Sequence, residues 1–164
     1  MKKVFYIFIM ILFFSACKNF TGEVRTIEKD SFEIALPDWL EETNDLAPHA
    51  HYQFKSRYRN TYGIIVKTPK ENKSFVDYQK EGVGVIRNFN EITNLFVTDS
   101  VYENNVYALQ LMGDIDSEKV FYWHNTYESS NNYYQLVLWT RSYDRKQKYT
   151  PVIEKVINSF KIKE

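Results

Sequence analysis

Three patterns predict an α+β domain, an antiparallel β-sheet with helices packed on it. Residues 31–36 alternate Phe32, Ile34 and Leu36 with polar or small neighbours, the period of a half-buried strand. The second half carries four aromatic and β-branched runs, separated by gaps short enough to favour antiparallel neighbours. Two other stretches repeat apolar residues at intervals of three and four, the period of a helix.

Taken in order, residues 18–25 are polar and patternless and read as a tether, with structure starting near Thr26. Pro37 ends the first strand, and Trp39 and Leu40 are placed to tuck back under the sheet. Residues 50–55 and 63–68 read as two more strands, separated by turn formers at 57–62 and closed by Pro69. Phe75, Tyr78, Gly82, Val85, Ile86 and Phe89 then mark a helix, with Ser74 placed to cap it. Gly82 and Gly84 weaken that helix by about 1 kcal/mol each relative to alanine. Such a cost implies that the helix either packs close to the sheet there or bends. Strands follow at 96–101, 106–113, 120–127 and 133–140, with turn formers at 103–105, 114–119 and 129–132. Tyr149, Val152, Ile153, Val156, Ile157 and Phe160 form a full apolar stripe for a last helix, whose first turn suits Thr150 and Pro151. Strands, helix, four strands, helix: a single domain over residues 26–164, with helices laid on an antiparallel sheet.

Particular residues carry a family likeness. Phe32-Glu33-Ile34-Ala35-Leu36-Pro37 with Trp39 resembles the opening strand of the PsbP-like superfamily, the fold of the extrinsic photosystem II protein and of many small bacterial lipoproteins. Tyr134-Gln135-Leu136-Val137-Leu138-Trp139-Thr140, and the last helix running into Asn158-Ser159-Phe160-Lys161, resemble that family's closing strand and helix. The resemblance spans residues 26–161. It implies an α/β/α sandwich and a binding or assembly module rather than an enzyme. Some members bind divalent metals, but none of their ligands can be matched to positions here. A photosynthetic role does not follow, because fold does not specify function.

The N-terminus reads as an export signal. Lys2 and Lys3 precede an apolar run from Val4 to Phe14, well short of the roughly 20 residues of a spanning helix. Phe14-Ser15-Ala16 then leads into Cys17, the one cysteine of the chain, and charged, apolar and small regions in that order make a secretory signal. The end of this signal resembles the lipobox of bacterial lipoproteins, with Phe14 where the common form has Leu. That likeness implies residues 1–16 as a cleaved signal peptide, palmitate-type acylation of Cys17, and residues 17–25 as a lipidated tether. Lys18 stands where the inner-membrane retention signal resembles an aspartate, and no acidic run follows to resemble a surface-export tag. The expected address is the periplasmic side of the outer membrane.

Charge excludes some partners. The chain has 21 basic and 21 acidic residues, and loss of Lys2 and Lys3 leaves the mature protein slightly acidic. No basic stripe suits nucleic acid, and no polybasic segment after Cys17 provides electrostatic attachment to a membrane. With Cys17 acylated there is no internal disulfide and no thiol nucleophile.

Catalytic motifs are missing: no G-x-S-x-G, H-E-x-x-H, P-loop or G-x-G-x-x-G occurs. His49 and His51 lie two apart, so in an extended chain both imidazoles face one side and could meet a metal, with His124 or Asp45 as a third ligand. The plainer reading is two solvated histidines beside Pro48. Asp114, Asp116 and Glu118 could offer oxygen ligands to calcium, but the remaining features of a calcium loop are missing and a polar hairpin turn explains them. Tyr122, Trp123, Tyr127, Tyr133, Tyr134 and Trp139 crowd two adjacent strands. If one sheet face is open, Tyr122, Tyr127, Tyr133 and Tyr134 become a binding surface; if helices cover both faces, they are core. The sequence therefore points to a non-enzymatic envelope lipoprotein without a cofactor, anchored through Cys17, that binds or assembles with another envelope protein. A small-ligand or divalent-metal binder is the alternative.

Overall fold

The structure, a computed structural model, describes residues 22–71, 73–89 and 92–163. The expected signal peptide, residues 1–16, and Cys17 lie outside the described residues. Among the described residues ten strands and two helices follow in the order β1 (Val24–Lys29), β2 (Phe32–Pro37), β3 (Glu41–Glu42), β4 (Tyr52–Ser56), β5 (Thr61–Pro69), α1 (Phe75–Phe89), β6 (Thr93–Glu103), β7 (Val106–Ile115), β8 (Glu118–Glu128), β9 (Asn132–Arg141), α2 (Tyr143–Ser159) and β10 (Lys161–Ile162). They form the expected antiparallel α+β architecture. No helix among the described residues is long and apolar enough to cross a membrane.

Seven strands make the main sheet, in the order β3-β4-β5-β9-β8-β7-β6, and a small sheet holds β1-β2-β10. The meander β6 to β9 is closed by tight turns. Asn104 and Asn105 take φ of 51° and 60°, and Asp116 and Ser117 take 50° and 66°. Two successive positive φ values give the turn whose twist matches paired strands, and short polar side chains tolerate that backbone best.

Each face of the main sheet has its own apolar cluster. Phe54, Ile65, Phe121, Trp123, Tyr134, Leu136 and Leu138 point to the α2 side. There they meet Tyr149, Ile153 and Val156 of α2 and Phe32, Ile34 and Leu36 of β2. The predicted alternation of β2 is what buries those three side chains, all at 2% exposure or less. Trp39 and Leu40 join this side as expected, Leu40 buried and Trp39 packed against Tyr149 at 5.6 Å. The opposite face carries Leu109, Leu111, Val120, Tyr122, Val137 and Trp139 against Ile86 of α1.

Ser74 caps α1 as read from the sequence, its Oγ accepting from the Asp77 amide at 3.2 Å. The two costly glycines separate in their roles. A Cβ on Gly82 would lie 2.4 Å from Gln135 Nε2 and 2.9 Å from His124 Cε1, so only glycine lets α1 touch the sheet there; at Gly84 nothing lies within 4 Å.

Three expectations need correction. Among the described residues the first strand begins at Val24, two residues before Thr26, because β1 pairs with β2 over its whole length although it is largely exposed. The last helix starts at Tyr143 and contains Pro151 in its interior rather than at its first turn. Its first six residues are polar apart from Tyr143, so no apolar stripe marks them. Pro151 removes the backbone donor to the Gln147 carbonyl, and beside it the Thr150 hydroxyl adds a bond to the Lys146 carbonyl at 2.7 Å. Finally, β10 adds a strand to β2 after the helix, pairing Lys161 with Glu33 and Ile162 with Phe32.

Candidate functional site

The histidine pair does not assemble a metal site with its neighbours. His49 and His51 are both exposed. His51 Nδ1 accepts the Lys67 amide at 3.2 Å, and burial and then the Lys67 charge push its imidazole pKa down. Among the described residues no group of three or more His, Cys, Asp or Glu side chains converges. His124, the suggested third ligand, is fully buried on the α1 face of β8. Asp45 is engaged by Lys55 and by Thr43 Oγ1, which hold its carboxyl at about 2.

The acidic turn is a hairpin. Asp116 occupies the β7–β8 turn, Asp114 pairs with Lys119 at 2.7 Å, and Glu118 faces Arg141 and Arg145 at 3.9 Å.

An open aromatic platform does not form. Tyr122, Tyr133 and Tyr134 are 1–3% exposed, and Tyr127 is half-buried against Phe160 at 4.8 Å. Alternation splits them: Tyr122 and Tyr133 lie under α1, and Tyr127 and Tyr134 face the α2 side. Helices on both faces account for this.

Two other features stand where the sequence gave no explicit warning. The first is a recess of about 450 Å³ between α1 and the sheet, walled by Ile64, Val66, Tyr122, Gln135, Val137 and Trp139 below. Tyr78, Gly82 and Ile86 roof it, and residues 47–50 form a side wall. Behind Gly82 and Gln135, His124 has no well-aligned hydrogen-bond partner for either ring nitrogen among the described residues. Burial holds its pKa down at about 4, opposed weakly by the neighbouring Gln135 amide.

The second feature is β6, the outer strand of the main sheet. Phe96, Val97, Val101 and Tyr102 are 48–60% exposed. Register places Val97 and Tyr102 opposite Leu111 and Tyr107 on the α1 side, and Phe96 and Val101 opposite Met112 and Ala108 on the α2 side. Both faces of this edge strand are therefore apolar, as is uncommon for a monomer's sheet margin. On the α2 side a shallow groove follows Val101, Ala108 and Asn125 to Ile157 and Asn158 of α2. Trp123 Nε1 borders this groove, buried and without a hydrogen-bond partner among the described residues.

No protein-family model and no curated protein matches this chain. Solved structures do match its backbone. The cyanobacterial PsbP protein CyanoP from Synechocystis sp. PCC 6803 superposes with a TM-score of 0.67 at 12% identity, covering 87% of this chain and 94% of its own. The chain has the PsbP-like fold. The Ran-binding protein Mog1p of Saccharomyces cerevisiae matches at 0.63 with 10% identity over 86% of this chain and 96% of that one. LpqN, involved in cell envelope biogenesis of Mycobacterium tuberculosis, matches at 0.53 with 10% identity over 87% and 91%. Identities this low carry the fold and no residue roles.

Within this PsbP-like domain, one of the two features had a signal in the sequence. Phe96-Val97 and Val101-Tyr102 are adjacent apolar pairs, and adjacent residues in a strand point to opposite faces. Such pairs mark a strand that is apolar on both sides. The recess had no such signal, since its walls come from five separated segments.

Proposed function

We propose that this protein is a non-enzymatic binding module of the bacterial envelope, tethered by lipid at Cys17 and docking another envelope protein along β6. The observation that carries the reading is the exposed, two-faced apolar edge of β6 with the groove beside it. An unpaired edge offers main-chain hydrogen bonds to an added strand, and alternate side chains then supply specificity. From Asp99 to Glu103 the pairing of β6 with β7 is regular, and β6 lacks the lysine or proline that usually blunts an edge. Its protection is a pair of register shifts between Thr93 and Asp99 and the charges of Asp99 and Glu103. Asp99 and Glu103 favour a partner segment with basic residues. The Ran-binding protein and the envelope-biogenesis protein that share the fold support a binding role, and the Phe14–Cys17 motif supports the envelope address.

The test is site-specific photocrosslinking in membranes, with the crosslinking residue at Val101 or Tyr102 and, as control, at Tyr58, which is 99% exposed and distant along the sheet. A discrete adduct of one mass from both β6 positions and none from Tyr58 is expected. Equal adducts from all three positions, or none, would overturn the reading. Palmitate labelling that disappears in Cys17→Ala tests the anchor.

A further inference from the structure

Gly82 lets α1 touch the sheet, and beside that contact helix and sheet stand apart over the recess of about 450 Å³. The recess opens to solvent on one side, and several bonds hold its roof and side wall in place. Tyr78 is one anchor. Its hydroxyl donates to Thr68 Oγ1 at 2.9 Å, and its ring stacks on Tyr133 at 4.8 Å, pinning the start of the roof to the sheet. Gln53 is another. Its Oε1 accepts from the Leu46 and Ala47 amides at 2.8 and 3.0 Å, and its Nε2 donates to the Ala47 carbonyl at 2.6 Å. The His51 amide ties the end of the same loop to the Ile65 carbonyl at 2.8 Å. Together these bonds fasten the start of the roof and the side wall to the sheet.

The chemistry of the walls defines the occupant. Ile64, Val66, Ile86, Val137 and Trp139 present hydrocarbon. Tyr78 and Thr68 satisfy each other, and Glu81 pairs with Lys73 at 2.7 Å on the exposed margin. Gln135, beside His124, is the polar group left within. A charged or strongly polar ligand would lose its water here without replacement, so the buried part must be apolar. At about 450 Å³ the recess is of the size of small-ligand pockets, and its hydrocarbon walls suit an acyl chain. We propose that it binds a single acyl chain from a separate lipid, leaving the polar head at the mouth beside His49 and the Lys73–Glu81 pair.

The full chain carrying Cys17→Ala, and so no acyl group of its own, is produced in cells fed a photoactivatable palmitate analogue and then irradiated. The expected result is a light-dependent adduct on peptides containing Val66, Gly82 or Val137. Val66→Trp, which extends from a half-buried wall into the recess, should lower it at least tenfold. Val24→Trp, at an exposed position on β1, should leave it unchanged. Excess unlabelled palmitate should suppress the adduct in the otherwise unaltered chain, a readout that does not depend on how Val66→Trp folds. The adduct mass separates a free fatty acid from a glycerophospholipid, and either supports the proposal. An adduct spread evenly over the chain, one that palmitate does not suppress, or none at all overturns it. Because β6 is not involved, failure here leaves the docking reading standing, and the reverse holds too.

Discussion

His124 should make this domain lose stability between neutral and mildly acid pH, before its carboxylates begin to titrate. The imidazole is fully buried on β8, with Leu109 and Val137 as its cross-strand neighbours and Gly82 packed over it. Burial holds its pKa at about 4, against an ordinary value of 6.5. As pH falls, the unfolded chain takes up a proton near pH 6.5, whereas the folded chain resists until about pH 4. The unfolded state therefore binds more protons across that window, and stability declines as pH drops through it. The gap corresponds to about 3 kcal/mol once both forms are protonated, or roughly 6–12 °C in melting temperature for a domain of this size. Glu33, Asp45 and Asp114 act lower. Hydrogen bonds from Lys161, Lys55 and Lys119 hold their pKa values down, so the stability they supply is lost only as pH falls below their ordinary values of 3.8–4.5. His51 shifts in the same direction as His124 but is exposed, so its share is small. Urea unfolding from about pH 7.5 to about pH 4.5 of the wild type and of His124→Leu measures the effect. The wild type should lose about 2–3 kcal/mol more than the variant over that span. Curves that stay parallel within about 0.5 kcal/mol would refute the reasoning, and would mean that His124 is solvated or paired when charged.

Other perturbations follow from the packing. Gly82→Ala should lower stability by about 1–2 kcal/mol, because the clash with Gln135 and the fixed His124 ring outweighs the helix-propensity gain. Gly84→Ala, where nothing lies near, should raise stability by about 0.5–1 kcal/mol; thermal melting of the two variants tests both signs. Ile153→Ala, at 1% exposure in the core beneath α2, should cost about 2–5 kcal/mol in denaturant titration. Tyr102→Asp on β6 loses ring contacts with Phe75 and Tyr107 at 6.1 and 6.4 Å and should cost about 1 kcal/mol in thermal melting, leaving the domain folded while removing the crosslinked adduct obtained from Val101.

Most of the strands and both helices were legible because their side chains alternate between one wet and one dry face. Phe32, Ile34 and Leu36 announce β2, and Val152, Ile153 and Val156 announce the buried side of α2. What escaped was structure held by pairing rather than by burial. β1 is exposed along nearly all its length and exists because its backbone pairs with β2. The first turns of α2 are polar, and Tyr143 anchors them by an edge contact with Phe121 at 4.9 Å. The candidate site was less legible still. Histidine and tyrosine attract notice as types, but His49 and His51 meet no further ligand among the described residues, and the tyrosines are needed as core. The recess gathers His49, Tyr122 and Trp139 with valines, isoleucines and a glycine, residues that share one wall only because the topology brings five separate segments together.

That topology itself leaves both candidate sites over. An α-helix is about 10 Å across and strands lie about 4.8 Å apart, so one helix shields about two strands. The main sheet has seven. On one face α2 is helped by the small sheet, whose β2 side chains share its core, and packing there is dense from β4 to β8. On the other face α1 works with only the 43–51 loop beside it. Gly82 brings the helix down onto β8 and β9, and the span between helix and loop remains open as the recess over β5 and β9. β6 is met by a helix only at its end, where Tyr102 touches Phe75 at the start of α1 at 6.1 Å, and its apolar side chains stay largely exposed on both sides. A sheet of this width with two helices must leave cover missing somewhere. Here the missing cover falls on apolar surface in both places, and apolar surface left in water is what a ligand or a partner removes from it.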